Sequence, residues 1–286
     1  MSKNYKYQLR KGSKKELCPN CRKRTFTPYV SVTTGEVANV EKYGYCDRIN
    51  NCSYILYPPS DANDFEDWTP PEPKPYIPPQ PDFIPKEIVN ASFNKFETNV
   101  FFMWLVKLFG EEEAFELQKK YCIGTAKKNG TIFWQKDAQG KYRTGKVIHY
   151  NSNGKRTKNL WYVHNKIKND YSLHQVFFGE HLIKENPDKP VALVESEKTA
   201  ILMSVFEPEY TWLASGGANM LNSYRLLRLP KLDFVSPDEG AFDLWQKQTN
   251  IFHERQMDVR VEKAVRDGKI EAGSDILDLI LFEKQL

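Results

Sequence analysis

The sequence of 286 residues lacks any long apolar segment. Its mean hydropathy is −0.62, and no apolar run approaches the ~18 residues that a membrane-spanning helix needs. The N-terminus is polar and basic and lacks the apolar core of a secretory signal. We therefore expect a cytoplasmic protein without a membrane segment. The length predicts about two domains and allows a sizeable core.

The sequence also lacks the phosphate-binding motif G-x₄-G-K-[ST] that helicases carry. Any strand unwinding would therefore have to come from a partner. Histidine and cysteine are scarce, with five residues of each. The histidines are scattered, and we assign none of them a catalytic role. In the cytoplasm we expect the cysteines to be reduced or metal-bound rather than disulfide-bonded.

Four of the five cysteines are spaced as metal ligands. Cys18 and Cys21 form a C-x₂-C pair, and Cys46 and Cys52 form a wider C-x₅-C pair. No histidine precedes His149, so no rival ligand of that kind lies nearby. Alternating segments between the pairs favour a zinc ribbon over residues 1–57, in which four thiolates hold one structural Zn²⁺ and leave no open position. The alternative is four unrelated thiols.

Positive charge is concentrated around these cysteines. Residues 1–57 carry eleven Lys and Arg against four Asp and Glu, whereas the next 25 residues are net acidic. This distribution indicates a module that faces phosphates, although basic N-termini are also often only solvated. The candidate nucleic-acid ligands are Arg22, Lys23, Arg24 and Arg48. The neighbouring aromatic residues could stack on bases or pack inside the ribbon, and we expect about half of them to be internal.

Residues 58–85 contain ten prolines and few apolar residues, which predicts an extended linker. Residues 86–122 have apolar side chains at three- and four-residue spacings, which predicts helices with a core-facing stripe. Residues 123–185 contain β-prone runs separated by glycine-containing turns, and many lysines and arginines. They predict a basic β-rich region that either binds a nucleic-acid strand or is simply solvated.

Residues 186–286 alternate short apolar runs with helical segments, which predicts a parallel sheet with flanking helices. The expected strands are 191–194, 210–214, 232–235 and 259–261, and the expected helices follow at 197–203, 221–229, 241–256 and 274–286. Glu195 follows the first strand and Asp238 the third, with Asp275 and Asp278 near the last helix. Ligands bind at the carboxyl ends of such strands, so these acids are candidate Mg²⁺ ligands. The alternative is that the acids after the first strand only favour a helix N-terminus.

This C-terminal segment resembles the Toprim domain of bacterial primases and topoisomerases. VALVESEKTA matches the first motif with Glu195 in the glutamate position, and LASGGAN matches the glycine turn. VSPDEGAF matches the D-x-D motif through Asp238, but Ser236 replaces the first aspartate. AGSDILDLIL matches the last motif through Asp275 and Asp278. The resemblance implies that Glu195 and Asp238 hold Mg²⁺ or Mn²⁺ during phosphoryl transfer, with Asp275 and Asp278 in support; the serine removes one carboxylate from that set.

The resemblance extends over nearly the whole chain to zinc-ribbon plus Toprim-like proteins of bacterial mobile elements. The β-rich region is similar to the one that precedes Toprim in bacterial primases, through its D-x-x-G turn, its Gly-Lys-Arg and the sequence FFGEH. In those enzymes this region handles the template strand. The residues assigned to nucleic-acid binding here are Arg143, Lys146, Arg156 and Lys198.

Two classes of function follow from these observations. The first is a nucleic-acid enzyme of mobile-element DNA replication, with primase-like or nuclease-like metal-dependent phosphoryl transfer. The second is a non-catalytic factor that binds single-stranded DNA beside a degenerate Toprim fold. A third alternative is an assembly role for the ribbon within a replication complex, where a helicase would be the expected partner.

Overall fold

The computed structural model describes residues 6–48, 52, 54–59 and 80–285. The chain divides into two compact units, Met1–Pro79 and Gln80–Leu286. This division falls inside the predicted proline-rich linker, most of which lies outside the described residues. No described helix is both long and apolar enough to cross a membrane.

The first unit is an antiparallel sheet built around one long strand. Its strands are β1 Tyr7–Leu9, β2 Glu16–Leu17, β3 Arg24–Ser31, β4 Gly44–Cys46 and β5 Ile55–Leu56. Strand β3 pairs with β1, β2 and β4, and β4 pairs with β5. Phe26 is fully buried, and a Cβ on Gly44 would lie 2.4 Å from its ring. Because the strands are short, this unit has only a small core around Phe26 and the cysteines.

The second unit begins with helices where the apolar spacing predicts them. They are α1 Lys86–Asn90, α2 Val100–Phe109 and α3 Glu111–Tyr121, with a 3₁₀ turn at Phe96–Thr98. Asn99 caps α2, since its side chain accepts a hydrogen bond from the backbone N–H of Phe102. Gly110, with φ +87°, separates α2 from α3. The apolar stripe packs into the main core, as expected.

A four-stranded antiparallel sheet follows the helices. Its strands pair in chain order and are β6 Ile123–Ala126, β7 Gly130–Lys136, β8 Tyr142–Tyr150 and β9 Arg156–Tyr162. Asp137 builds the β7–β8 turn, because its Oδ1 accepts hydrogen bonds from the backbone N–H groups of Gln139 and Lys141. Strand β9 is an edge strand, and its residues Arg156–Leu160 are all exposed.

The rest of the chain forms the predicted parallel sheet, in the strand order β11-β10-β12-β13. Its elements are α4 His181–Glu185, β10 Val191–Val194, α5 Glu197–Phe206, β11 Thr211–Ala214, α6 Ser223–Leu226, β12 Phe234–Val235, α7 Phe242–Gln248, β13 Gln256–Met257, α8 Arg260–Arg266 and α9 Ile276–Lys284. Val191 and Leu193 pack into one core cluster, and Ala192 and Val194 pack into another. Strand β10 is thus buried on both faces, as its apolar run predicts.

The segment before this sheet reaches its outer edge. Phe178, within the FFGEH sequence, forms an antiparallel bridge with Ala214 of β11. Each of the two backbone N–H groups donates to the other residue's carbonyl oxygen at 3.0 Å. Gly179 follows with φ +84°, where a Cβ would lie 2.9 Å from the Trp212 carbonyl oxygen. The FFGEH sequence is therefore part of the sheet and turns on a glycine.

The predicted fourth strand at 259–261 is wrong. The strand is β13, Gln256–Met257, and Val259 leads into helix α8. The physical reason is local, because the Asp258 carboxylate accepts hydrogen bonds from the backbone and side chain of Arg260. This side-chain pairing ends the strand and begins the helix. The helices predicted at 221–229 and 241–256 are present but shorter.

Candidate functional site

The four cysteines of the first unit lie together, as their spacing predicts. Their Sγ atoms all fall within 4.8 Å of one another, and three of the four side chains are buried. The Sγ atoms of Cys18 and Cys52 lie 3.6 Å apart, and those of Cys21 and Cys46 lie 4.0 Å apart. A tetrahedral Zn²⁺ with bonds of about 2.3 Å requires sulfur–sulfur distances of about 3.8 Å. The donor set therefore fits a structural zinc ion.

Polar groups around the thiols complete this centre. The Asn20 side chain donates to the Cys52 carbonyl oxygen at 2.9 Å and lies 3.5 Å from its sulfur. The Thr25 hydroxyl lies 3.2 Å from the Cys46 sulfur. Such contacts orient metal ligands and stabilise thiolate charge. The second cysteine pair thus contacts Asn20, which lies between the first two cysteines, and Thr25 of β3.

The predicted basic ligands of the ribbon lie on its surface. Arg22, Lys23 and Arg24 are exposed and Arg48 is half-buried, and no described residue forms an ion pair with any of them. Arg22 and Arg24 line a groove of about 500 Å³, which the acidic residues Glu16 and Glu41 also line. Four aromatic residues were predicted either to stack on bases or to pack inside the ribbon, namely Phe26, Tyr29, Tyr43 and Tyr45. Three of them are buried and Tyr45 is half-buried, so more of these rings are internal than the expected half.

Two carboxylates of the second unit lie at the same edge of the parallel sheet, which we call the acidic edge. Glu195 follows β10 and Asp238 follows the adjacent strand β12. Burial, followed by the charges of Asp275, Glu195 and Asp278, raises the pKa of Asp238 to about 8. Burial likewise raises the pKa of Glu195, and the Asp275 charge adds to the effect. The carboxylates are therefore close enough to repel one another.

Asp275 and Asp278 have a structural role at this edge. They form a capping box at the start of α9, in which each side chain accepts a hydrogen bond from the other residue's backbone N–H at 3.0 Å. The Thr199 hydroxyl of α5 donates to the second oxygen of Asp275. The sequence offers Ser274 or Asp275 as the N-cap of this helix, and in the structure the cap is Asp275. The charges of Asp275 and Asp278 both contribute to the raised pKa of Asp238.

The carboxylate oxygens of the acidic edge are less closely grouped than the sulfur atoms of the cysteine centre. Among the described residues, only the cysteines place three or more ligand atoms within 4.8 Å of one another. Mg²⁺ commonly binds through one or two carboxylates and keeps several waters. The pair Glu195 and Asp238 fits that mode of binding, and does not fit a closed cage of protein ligands.

Ser236 supplies no carboxylate to the acidic edge. It is buried, and its hydroxyl donates to the Asp258 Oδ2 at 2.8 Å. Asp258 is itself buried and paired with Arg260 at 3.0 Å. This aspartate therefore does not replace the carboxylate missing at Ser236, because its charge is already compensated.

The glycine turn after β11 is hydrogen-bonded to the backbone of Glu195. The Gly216 N–H donates to the Glu195 backbone oxygen at 2.8 Å. Arg225, which is almost fully buried, donates to the Ser215 carbonyl at 2.7 Å and to the Met220 carbonyl at 2.8 Å. The turn is therefore anchored through its carbonyl groups by a buried cation.

Arg143 and Lys146 are not where a nucleic-acid role would need them. Arg143 is 7% exposed and pairs with Asp137 at 2.8 Å, and Lys146 is 4% exposed and pairs with Glu197 at 2.9 Å. Because both charges are buried and satisfied by carboxylates, neither is available to a phosphate. We therefore correct that assignment for these two residues.

Arg156 and Lys198 remain at the acidic edge. Arg156 is exposed on β9, and its charge lowers the pKa of both Glu195 and Asp238, against the larger effect of burial. The charge of Lys198 likewise lowers the pKa of Asp275, against the larger effect of burial. The Lys198 Nζ lies 5.8 Å from the centre of the Trp104 ring. The positive charges of Arg156 and Lys198 therefore act on the carboxylates of the acidic edge.

One of the scattered histidines, His181, is a core residue. His181 is buried, and burial followed by the Lys136 charge lowers its pKa to about 4. One ring nitrogen lies 3.0 Å from the Lys120 carbonyl oxygen. This histidine is thus a neutral core residue near neutral pH.

Sequence reasoning assigned Lys146 to nucleic-acid binding, and it missed both the pairing of Lys146 with Glu197 and the anchoring role of Arg225. Lys146 and Glu197 are 51 positions apart in the chain, so no local pattern connects them. The local sequence gives little signal, since Lys146 follows the polar Arg143 and Thr144 and precedes only the short apolar pair Val147 and Ile148.

Two family models match parts of the chain. One is described as a zinc beta-ribbon finger and matches residues 5–67. The other is described as a domain of unknown function, DUF6371, and matches residues 99–238, a range that includes both Glu195 and Asp238. The first match and the four clustered cysteines confirm the predicted zinc ribbon. A search of curated proteins found no match.

A comparison with solved structures finds distant similarity to three primase structures. The primase fragment of the bacteriophage T7 primase-helicase protein is 17% identical, over 54% of this chain and 66% of that one, with a TM-score of 0.36. A DNA primase domain from Pseudomonas aeruginosa is 10% identical, over 63% and 65%, with a TM-score of 0.30. The zinc-binding and RNA polymerase domains of the Aquifex aeolicus primase are 13% identical, over 64% and 52%, with a TM-score of 0.31. The chain thus spans about half to two-thirds of the length of these structures.

Proposed function

We propose that this chain is a Toprim-like nucleic-acid protein whose acidic edge binds Mg²⁺ or Mn²⁺ for phosphoryl transfer on single-stranded DNA. The observation that carries the proposal is the placement of Glu195 and Asp238 at the ends of adjacent parallel strands, beside the exposed Arg156. Like-charged carboxylates that are partly desolvated favour a cation between them. The order of glutamate, glycine turn and aspartate along the chain supports the Toprim-like assignment.

In this proposal each residue has a separate role. Glu195 and Asp238 would hold the cation, and Asp275 and Asp278 would add negative charge behind them. A bound divalent cation neutralises phosphate charge and orients the transferring group. Arg156, whose charge acts on both carboxylates, would bind the phosphate. The exposed strand β9, which also carries Lys158, would guide the strand towards the edge.

The metal site is tested by calorimetric titration of Mn²⁺ into the zinc-loaded protein. We expect one Mn²⁺ per chain, with affinity at least tenfold lower in Glu195→Gln and in Asp238→Asn, because each substitution removes one anionic ligand. The control is Asp243→Asn, which removes an exposed carboxylate from α7 and should leave the affinity unchanged. To test phosphoryl transfer, the protein is then incubated with a single-stranded template, nucleotides and Mg²⁺, and product formation is measured. Absence of any binding beyond the ribbon zinc would contradict the metal site.

A second function is favoured by Ser236, whose buried hydroxyl bonds to Asp258 and adds no carboxylate to the edge. In this alternative the chain is a non-catalytic factor that binds single-stranded DNA in a mobile-element replication complex, beside a partner helicase. It would bind DNA without forming product and without a dependence on Glu195.

DNA binding is tested by fluorescence anisotropy of a labelled single strand over a series of salt concentrations. We expect affinity to fall steeply with salt, because phosphate contacts release counterions. The double variant Arg156→Gln with Lys158→Gln should reduce the logarithmic salt slope by roughly one per lost contact. Lys247→Gln, an exposed lysine on α7, is the matched control. Absence of binding at low salt would leave only an assembly role for the ribbon.

A further inference from the structure

A buried ion pair joins the antiparallel sheet to the acidic edge. Lys146 of β8 and Glu197 of α5 are 4% and 2% exposed, and their Nζ and Oε2 atoms lie 2.9 Å apart. Removing two charges from water is costly, and such a pair is often no more stable than apolar residues of the same volume. The pair therefore suggests a purpose other than stability.

Lys146 contacts both chain segments that flank Glu195. Glu197 begins α5, two residues after Glu195. The Lys146 ammonium also donates to the Gly216 carbonyl oxygen at 2.8 Å, in the turn whose N–H bonds to the Glu195 backbone oxygen. One side chain thus connects the helix start and the glycine turn on either side of the first acid of the edge.

The Gly216 backbone is packed closely against the Glu197 carboxylate. A Cβ on Gly216 would lie 3.0 Å from the Glu197 Oε1, and that oxygen is buried with no hydrogen-bond partner among the described residues. Arg225 holds the same turn through the carbonyl groups of Ser215 and Met220. With carbonyls fixed by two buried cations, the turn has little freedom to move relative to Glu195.

We propose that Lys146 is a positioning residue for the acidic edge, which fixes the Glu195 carboxylate relative to Asp238 by holding Glu197 and Gly216. Its effect on metal affinity rests on the proposed function. Its effect on the glycine turn does not, because that contact exists with or without a metal ion.

The test compares Lys146→Met with Arg143→Met in the full-length, zinc-loaded protein. Arg143 is the matched control, because it lies on the same strand and forms a buried ion pair with Asp137 away from the edge. Both variants should lower thermal stability. Only Lys146→Met should speed backbone hydrogen exchange in residues 214–221 by at least tenfold, and only Lys146→Met should weaken Mn²⁺ binding by at least tenfold.

The double variant Lys146→Met with Glu197→Leu separates loss of the Gly216 contact from misfolding caused by an unpaired buried charge. It removes both charges, so the fold should be retained, while the bond to the Gly216 carbonyl is lost. We expect rapid exchange in the turn and weak Mn²⁺ binding in this variant too. Native exchange in a stable double variant, or equal effects of the Lys146 and Arg143 substitutions, would overturn the proposal. If the wild-type protein binds no Mn²⁺, the metal site fails, and the exchange comparison still decides the role of Lys146.

Discussion

Gly216 shows how one residue can be fixed by two independent requirements. Its φ of +84° lies in the left-handed region that side chains disfavour, and a Cβ there would press against the buried Glu197 carboxylate at 3.0 Å. The backbone requirement alone is common in turns. The contact requirement exists only because Glu197 is drawn into the interior by Lys146.

The two requirements can be separated by substitution. We expect Gly216→Ala to lower the free energy of unfolding by about 2 kcal/mol, from backbone strain together with displacement of the carboxylate. Gly268→Ala is the control, because its φ is +71° and a Cβ there meets nothing within 4 Å. It should cost only about 1 kcal/mol. Chemical denaturation measures both, and equal losses would show that the Glu197 contact is unimportant.

At the scale of elements, the start of α9 combines two roles in one side chain. Asp275 caps the helix, accepts a hydrogen bond from Thr199 and contributes charge to the acidic edge. Serine can cap a helix about as well as aspartate but carries no charge. Substitution can therefore remove the charge and keep the cap.

We expect Asp275→Ala to lower the free energy of unfolding by about 1 kcal/mol, since the cap is lost. Asp275→Ser should largely retain stability and yet weaken Mn²⁺ binding, because the supporting charge is removed. Thermal denaturation and calorimetry of the two variants measure the two roles. Native Mn²⁺ affinity in a stable Asp275→Ser variant would show that Asp275 is only a cap.

The elements also show what the sequence could predict. Strand β10, the parallel arrangement and the cap of α9 follow from local patterns, namely an apolar run, alternation of strands with helices, and an aspartate before a helix. The strand predicted at 259–261 was misplaced because a local ion pair between Asp258 and Arg260, two positions apart, begins a helix in that valine-containing segment. The partners of Lys146 could not be predicted, because nothing local specifies a contact 51 positions away.

At the scale of the whole molecule, the first unit depends on its metal centre. The buried cluster of that unit consists of Phe26 and three of the cysteines, with the fourth packed against it, which is too small a core to hold short strands without a metal ion. The second unit has two large apolar clusters on the two faces of its parallel sheet. The units therefore differ in what stabilises them.

Zinc removal should consequently affect the chain unevenly. We expect a strong chelator to release one Zn²⁺ per chain and to increase hydrogen exchange by at least a hundredfold in β3 and β4, which carry the cysteine core. Peptides from β7 and β8 provide the internal control and should keep their protection. Protected β3 and β4 after complete zinc release would mean that the ribbon folds without metal.

The bridge between Phe178 and Ala214 has a consequence for behaviour in concentrated solution. Strand β11 ends the parallel sheet, and an open edge of that kind offers free backbone groups to the strands of other molecules. The paired hydrogen bonds from Phe178 occupy part of this edge, and the two-residue β13 leaves little to pair with on the opposite side. The parallel sheet that carries the carboxylates therefore offers few free backbone groups for edge-to-edge pairing with another molecule.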